Sequence, residues 1–458
     1  MHISKLQIEN LRSFEKATLE FNLPGTKDLQ YPNVNVLLGD NGLGKTSILK
    51  AVALAVLGPL LSGNSGFVPE GLIRRAPAKI AGKVNLKKNT AILTADIIST
   101  VEERPLKAAT DLMPETFSVS TEVRTVSSVE RMSWHMSPKS ADETIEAMQL
   151  DEKSPAFFIV GYGATRRVEA SARVDESART RSRLRRYERV AGLFEDHLTL
   201  MPLSYWLPAF SVENKGRYKQ VINLINELLP PACQIQTQPT GREHLFEMNG
   251  IVLPFRALSD GYRAYIGWIG DMLFHVCKGI ASGLKLREMR GVIMVDEIDL
   301  HLHPEWQRSV VPTLAKALPN VQFILTTHSP LVVGSLMSQN LFVLAEENGS
   351  TIVKRLPEHV RGKSAEQILL SPYFGLDSTR AAPVADKLNE LARRAVSGNV
   401  KASVDYLRVL AEGMSFEDMA KPQKVQVATA RVRRPRAVKA KPEVVAQPQR
   451  SKQAESKE

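Results

Sequence analysis

The chain has only two cysteines in 458 residues. Cys233 and Cys277 cannot build a disulfide framework, nor by themselves a four-cysteine zinc site. Long hydrophobic runs are missing as well: the longest apolar stretch, Ala51 to Leu61, is about half the ~20 residues that a bilayer span needs. The amino terminus, MHISKLQIENLRSFEK, alternates polar and apolar residues and holds no hydrophobic signal core. These absences predict a reducing, cytoplasmic setting without a membrane partner. Internal repeats and coiled-coil heptads are also lacking, which excludes a long-armed architecture. What remains is ordinary globular composition, 43% apolar and 24% charged, in a length that fits two to three average domains or one large domain with insertions.

Positive charge is unevenly spread. Residues 421–458 carry eleven Lys/Arg against three Glu, which is +8 of the net +11. That tail has no aromatics and neither a helical nor a strand period, which predicts disorder. It reads either as an anion-binding segment for nucleic acid or an acidic partner, or as a solubilising tail. A second cluster, Arg166 to Arg189, has nine arginines against four acids. Within it ASARVDESARTRSR reads as a mobile loop and LRRYERVAGLFEDHLTL as a helix starting near Leu184. A solvated basic loop fits the cluster, and so does a surface for phosphates, nucleic acid or ATP, because guanidinium groups make bidentate phosphate contacts.

Alternation in HISKLQIENL and ATLEFNL predicts an opening hairpin-like pair of strands. NVNVLLG reads as a buried strand ending in a glycine-rich turn, and SILKAVALAVLGPLL as a strongly apolar helix. Residues 85–137 are rich in Val, Thr and Ser with period two and read as a meandering antiparallel sheet. AFFIVGYG is a further buried strand, and residues 184–230 are mainly helical. HLFEMNGIVLPFRAL holds a short hairpin turning at Asn249-Gly250. A helix is expected from about Ser259 to Lys278. GVIMVDEID, PEWQRSVVPTLAKAL and VQFILTTHS then read as core strand, helix and core strand, an alternation that predicts an α/β fold with a mostly parallel sheet.

The strongest motif is Gly39-Asp40-Asn41-Gly42-Leu43-Gly44-Lys45-Thr46-Ser47, which matches G-x-x-x-x-G-K-[ST] after a buried strand and at the start of a helix. Its glycines let backbone N–H groups wrap around phosphate oxygens, and the helix N-terminus adds a favourable dipole. Lys45 is placed to reach the β- and γ-phosphates of ATP, and the Thr46 hydroxyl to ligate Mg²⁺. A second acid is needed to hold that ion, and Gly291–Glu297 supplies an apolar strand ending in two carboxylates. Asp296 is assigned to the metal and Glu297 to polarising the attacking water as general base. The strand Phe323–Thr326 leads into Thr327-His328-Ser329-Pro330, and His328, at a strand's carboxyl end, reads as a γ-phosphate sensor. Asp296, His328 and Ser329 do not make a serine-nucleophile triad, because the chain has no strand–G-x-S-x-G–helix elbow. Leu258-Ser259-Asp260-Gly261-Tyr262-Arg263 precedes a helix, with Ser259 as its expected cap and Gly261 leaving the first turn open to an anion.

In the order of P-loop, LSDGY, hydrophobic-DE and THS, the chain resembles the ABC-class ATPases. More narrowly it resembles the soluble branch that contains RecF, SMC heads and the overcoming-lysogenization-defect ATPases. The segments that carry this are IENLRSFEKATLEF, GDNGLGKTS, LSDGYRA, VDEIDLHLHPEWQ and ILTTHSP. FFIVGYGATRR is similar to the bacterial AAA ATPases of this branch, including AAA_21-type Septu defence ATPases and the virulence-associated ATP-binding proteins. The resemblance covers roughly residues 1–345. It implies a P-loop NTPase with an ABC-ATPase-like head over 1–345, an antiparallel β insertion at about 62–155 and a helical lobe at about 166–290. A small helical segment at 346–420 and the basic tail at 421–458 would follow.

The resemblance also implies a composite site. Two heads pair, as a homodimer or higher oligomer, and ATP on Gly39–Ser47 of one meets Ser259, Asp260 and Gly261 of the other. Asp299, His301 and His303 would occupy the D-loop at that interface, and Arg12 would lie near the nucleotide. His301 and His303 with Glu305 also allow a zinc reading. The signature departs from transporters, which commonly carry Gly and Gln where this chain has Asp260 and Tyr262. No Q-loop glutamine is assigned after the FFIV strand, and no long coiled coil or zinc hook interrupts the head. After Asn340 the chain lacks the D-x-D pair and leading glutamate of a TOPRIM nuclease, so any nuclease activity must come from another polypeptide. The expected function is an Mg²⁺-dependent ATPase that dimerises on ATP and controls a separate effector such as a nuclease, in DNA repair or phage defence. The alternatives are an ATP-gated binding module with little turnover and the energy subunit of a membrane transporter.

Overall fold

The computed structural model describes residues 1–63, 66–75, 89–100, 114–139, 142–151, 154–168, 185–239, 243–281 and 283–411. Strands that are continuous apolar runs in sequence need cover on both faces. Val34–Leu38, Ile159–Tyr162, Gly291–Val295 and Val321–Thr326 are buried along their whole length. They lie in a six-stranded sheet ordered Ser350–Lys354, Leu341–Glu347, Val34–Leu38, Val321–Thr326, Gly291–Val295, Ile159–Tyr162. Neighbours run parallel throughout, except that Ser350–Lys354 turns back antiparallel onto Leu341–Glu347. The strand leading to His328 is therefore inserted between the P-loop strand and the acidic strand, with Leu325 paired to Val36 on one side and to Val295 on the other.

Period two along these strands divides their side chains between two cores. Val34, Val36, Leu38, Ile293, Val295, Phe323 and Leu325 face one core, which is closed by the helices Leu203–Glu213, Lys215–Leu228, Asp260–Gly279 and Val310–Ala317. Leu37, Val292, Met294 and Ile324 face the other, against the helix Lys45–Val56. That second core also takes the inner face of a five-stranded sheet ordered Phe14–Glu20, His2–Leu11, Thr90–Ile98, Thr116–Val126, Val129–Ser137. The opening strand pair and the later meander, expected as separate pieces, form this one antiparallel sheet, because His2–Leu11 pairs with both Phe14–Glu20 and Thr90–Ile98. The fully buried Gln322 ties the two sheets: its carboxamide accepts from Ile3 N and donates to Ile3 O, each at 2.8 Å.

Three expected helices are shorter than their sequences suggest. SILKAVALAVLGPLL breaks at Leu57 into Lys45–Val56 and Gly58–Ser62, the second opened by Pro59. Among its described residues LRRYERVAGLFEDHLTL is helical over Arg185–Ala191, and the chain then turns at Gly192, whose carbonyl accepts from Gly163 N (3.2 Å). PEWQRSVVPTLAKAL splits into Pro304–Gln307 and Val310–Ala317, because Pro312 lacks the N–H that a continuous helix would use there. The turn at Asn249-Gly250 joins Leu245–Met248 to Ile251–Pro254 with both residues at positive φ, 50° and 82°.

One compact unit runs Met1–Thr379 and a second Arg380–Glu458. The first extends past residue 345 because the hairpin of Leu341–Glu347 and Ser350–Lys354 belongs to the central sheet, and Ile368 of the short helix Ala365–Leu369 joins its core. In the second unit the described part is two helices, Ala382–Val396 and Val400–Ala411, packed around Leu388, Leu391, Ala402 and Val409. The basic tail 421–458 and residues 169–184 of the arginine cluster lie outside the described residues. Among the described residues no helix is long and apolar enough to cross a membrane.

Candidate nucleotide-binding site

The P-loop turns on Gly39, Gly42 and Gly44, at φ 145°, 86° and 95°. Gly44 is the left-handed cap of the helix Lys45–Val56, and no larger residue fits there. A Cβ would stand 2.6 Å from both Phe14 Cε2 and Ser13 Oγ. No acidic side chain sits in the first turn of that helix, so its N–H groups stay available to an anion. Lys45 is buried and folds back over its own loop, its Nζ donating to the carbonyls of Gly39 (2.7 Å) and Asp40 (3.0 Å). Burial lowers its amine below the ordinary value, opposed mainly by Asp296 and Glu297.

The acidic strand end sits directly beneath. Asp296 is buried and accepts from two hydroxyls at 2.6 Å, Thr46 Oγ1 on one oxygen and Thr326 Oγ1 on the other. Thr326 Oγ1 in turn accepts from Glu297 N (2.7 Å). Glu297 has φ 49°, a left-handed backbone that a non-glycine residue keeps only when its surroundings hold it there. Asp299 accepts from Thr327 Oγ1 and from His328 N (3.4 Å), which fastens the histidine loop to the D-loop stretch. Ser329 Oγ donates to Gln307 Oε1 (2.7 Å) and accepts from Leu331 N and Val332 N, so it serves as a helix cap.

A cleft of about 320 Å³ gathers Arg12, Ser13, Asn41, Gly42, Gly44, Lys45, Thr46, Ser47, Asp296, Glu297 and His328. Gly39, Asp40 and Leu43 shape the loop, Gly39 and Asp40 through the two carbonyls that hold Lys45 and Leu43 through the carbonyl that accepts from Ser13 Oγ (3.2 Å). Ser259, Asp260, Gly261, Asp299, His301 and His303 do not line this cleft. Ser259 and Asp260 are exposed at the start of the helix Asp260–Gly279. Ser259 makes no side-chain cap bond there, contrary to the cap expected of it. Asp260 pairs with Arg263 on the same turn. Tyr262 stacks edge-on to Trp306 (centroids 4.4 Å), and a Cβ on Gly261 would come within 3.2 Å of the His301 carbonyl, so signature and D-loop stretch adjoin each other.

One sequence reading needs correction. His303 Nδ1 accepts from Glu305 N (3.4 Å) as the cap of Pro304–Gln307, and no group of three His, Cys, Asp or Glu that could hold a metal ion exists among the described residues; His301, His303 and Glu305 are not a zinc set. In the basic cluster Arg167 is exposed, whereas Arg166, Arg186 and Arg189 are engaged within the chain. Arg186 is buried, and its guanidinium donates to the carbonyls of Met148, Asp151, Ser154, Ala156 and Phe157. Arg189 lies over the Phe158 ring at 5.1 Å. Arg166 donates to the carbonyls of Asp296 and Glu297. Sequence reasoning therefore missed Arg166 and Thr326 as parts of the site. Thr326 was visible within the histidine motif, whereas nothing in GYGATRR marks Arg166 as turned toward the acidic strand.

Residues 5–201 match a family described as an AAA domain, and residues 169–334 a second AAA-domain family whose description names the AbiEii toxin and type IV TA systems. Septu protein PtuA of Bacillus mycoides is 27% identical over 396 residues, 86% of this chain and 46% of that protein, so the chain spans less than half of that relative's length. The Retron Ec83 probable ATPase of Escherichia coli is 25% identical over 425 residues, 81% of this chain and 75% of the relative. The DNA replication and repair protein RecF of Staphylococcus haemolyticus is 35% identical over 97 residues, 20% of this chain and 23% of RecF. Over residues 5–334 the chain is thus similar to P-loop ATPases with AAA-type domains.

Proposed function

We propose that two copies of this chain close on ATP through their signature corners, and that hydrolysis at Glu297 reopens them to control a separate effector, a nuclease in the reading we favour, in phage defence or DNA repair. The observation that carries the chemistry is the hydrogen bond between Thr46 and Asp296 beneath the P-loop, with Glu297 beside it. An alcohol and a carboxylate 2.6 Å apart are hard oxygen donors of the kind magnesium takes with a nucleotide's phosphates. Thr46 and Asp296 would hold the ion, which when bound supplies neutralisation of phosphate charge. Lys45 leaves the Gly39 and Asp40 carbonyls for the β- and γ-phosphate oxygens. Glu297 orients a water in line with the γ-phosphate and accepts its proton as the phosphoryl group leaves ADP. His328 donates to a γ-phosphate oxygen from the end of the middle strand, and Arg12 approaches the nucleotide from the rim.

Dimerisation is supported by Ser259 and Asp260 of the signature, which stand exposed and apart from the cleft of their own chain. The defence setting is supported by kinship with the Septu and retron proteins, and the repair setting by RecF. Nucleic acid remains a proposed ligand of the basic tail 421–458 and of the arginines between Arg166 and Arg189, although at least Arg166 and Arg186 are engaged internally. The direct test is phosphate release by Glu297→Gln. We expect turnover to fall roughly 100- to 10,000-fold, the usual contribution of a positioned base, with ATP-dependent dimerisation retained. Unchanged turnover removes Glu297 from the mechanism.

A further inference from the structure

Arg166 follows the strand Ile159–Tyr162 and reaches under the acidic strand end. Its guanidinium donates to the carbonyls of Asp296 (2.5 Å), Glu297 (2.9 Å) and Gly163 (3.4 Å). The first two are the peptide oxygens on either side of the Glu297 Cα, the atom from which the base's side chain hangs. Glu297 is held at φ 49°, and Thr326 Oγ1 takes its N–H. A left-handed residue with its N–H and both flanking carbonyls engaged has little freedom to swing.

The anchor of Arg166 is itself built in. Its guanidinium lies 5.9 Å from the Trp268 ring, on the helix Asp260–Gly279 that opens with the signature motif. The following residues are pressed onto the same helix, where a Cβ on Gly267 would stand 2.5 Å from Val168 Cγ2. Burial lowers the guanidinium to about 10, against the opposing pull of Asp296, Glu297 and Asp299, so it stays charged at neutral pH.

The geometry points to Arg166 as the positioning residue that sets the Glu297 carboxylate for hydrolysis by clamping the two peptide carbonyls around it. This rests on the reading of Glu297 as the base. Arg166 acts through Glu297 and touches no reacting atom, so its loss is felt in kcat and spares ATP binding. A lysine keeps the charge but lacks the planar fork that holds both carbonyls.

The test compares full-length Arg166→Ala, Arg166→Lys and Glu297→Gln in steady-state ATP hydrolysis, with ATP affinity and melting temperature measured on each. We expect Arg166→Ala to lose about 100-fold in kcat with KM and ATP affinity nearly unchanged. Added guanidinium ion should restore part of that loss, but none of the loss in Glu297→Gln. Arg166→Lys should lie between wild type and Arg166→Ala, and it carries the same kcat-against-KM comparison if the alanine variant does not fold. Wild-type kcat in the arginine variants overturns the inference, and so does a parallel fall of kcat and ATP affinity without guanidinium rescue. If Glu297→Gln keeps its turnover, the base assignment fails on its own. If Glu297→Gln is inactive while Arg166→Ala is fully active, only the positioning role fails.

Discussion

The two corners that would meet around a nucleotide are built differently. On the P-loop side Lys45 is 7% exposed and Asp296 5%, and each hangs from named partners: Gly39 and Asp40 hold the amine, Thr46 and Thr326 the carboxylate. On the signature side Ser259 and Asp260 stand exposed, the serine without a cap bond and the aspartate with Arg263 of its own helix turn. Groups that act within one chain are pinned by that chain, since a loosely held side chain loses the geometry that catalysis depends on. A corner left in water, at the open start of a twenty-residue helix, is the half of an interface that the proposed dimer would cover. On the proposed reading, the first corner is held in place by its own chain and the second is left for another copy.

The largest effect should come from the finished side. Lys45→Ala removes the amine that leaves the two loop carbonyls for phosphate oxygens. Losing charge-assisted bonds of about 1.5–3 kcal/mol each should weaken ATP binding roughly 100- to 1,000-fold, as titration calorimetry can read. Affinity close to wild type would mean that the loop grips phosphate through its main chain alone. A smaller effect should come from the open side. Ser259→Arg puts bulk and charge on the proposed interface, so turnover should drop on the order of 10- to 150-fold while a single chain's ATP affinity stays as it was. A loss of binding in that variant would erase the distinction between the two corners.

The site was legible in sequence where its parts are local. Three glycines and a lysine at fixed spacing define the loop, and an apolar run ending in Asp296-Glu297 or in His328 defines a strand delivering polar groups to one edge. The insertion of the histidine strand between the other two followed from nothing local, and it is what brings Thr326 between Asp296 and the Glu297 amide. Arg166 was unreadable for a related reason. It lies in a run of arginines that looks solvated, and only the parallel pairing of Ile159–Tyr162 with Gly291–Val295 turns it under the acidic strand end. Helix lengths were overestimated where a single residue overrules a periodic apolar pattern, as Gly192 and Pro312 do. The single sheet formed by the first and second β regions depends on His2–Leu11 pairing on both edges, a long-range choice that alternation alone does not specify.

The account stands on a site shared between two copies, and mixing two inactive variants tests it most directly. Lys45→Ala spoils a copy's own pocket and keeps its signature corner, while Ser259→Arg does the reverse. Each alone should hydrolyse ATP poorly, and an equimolar mixture should recover a substantial fraction of wild-type turnover, because mixed dimers contain one intact pocket facing one intact signature corner. A mixture no more active than the sum of its components would contradict the shared site.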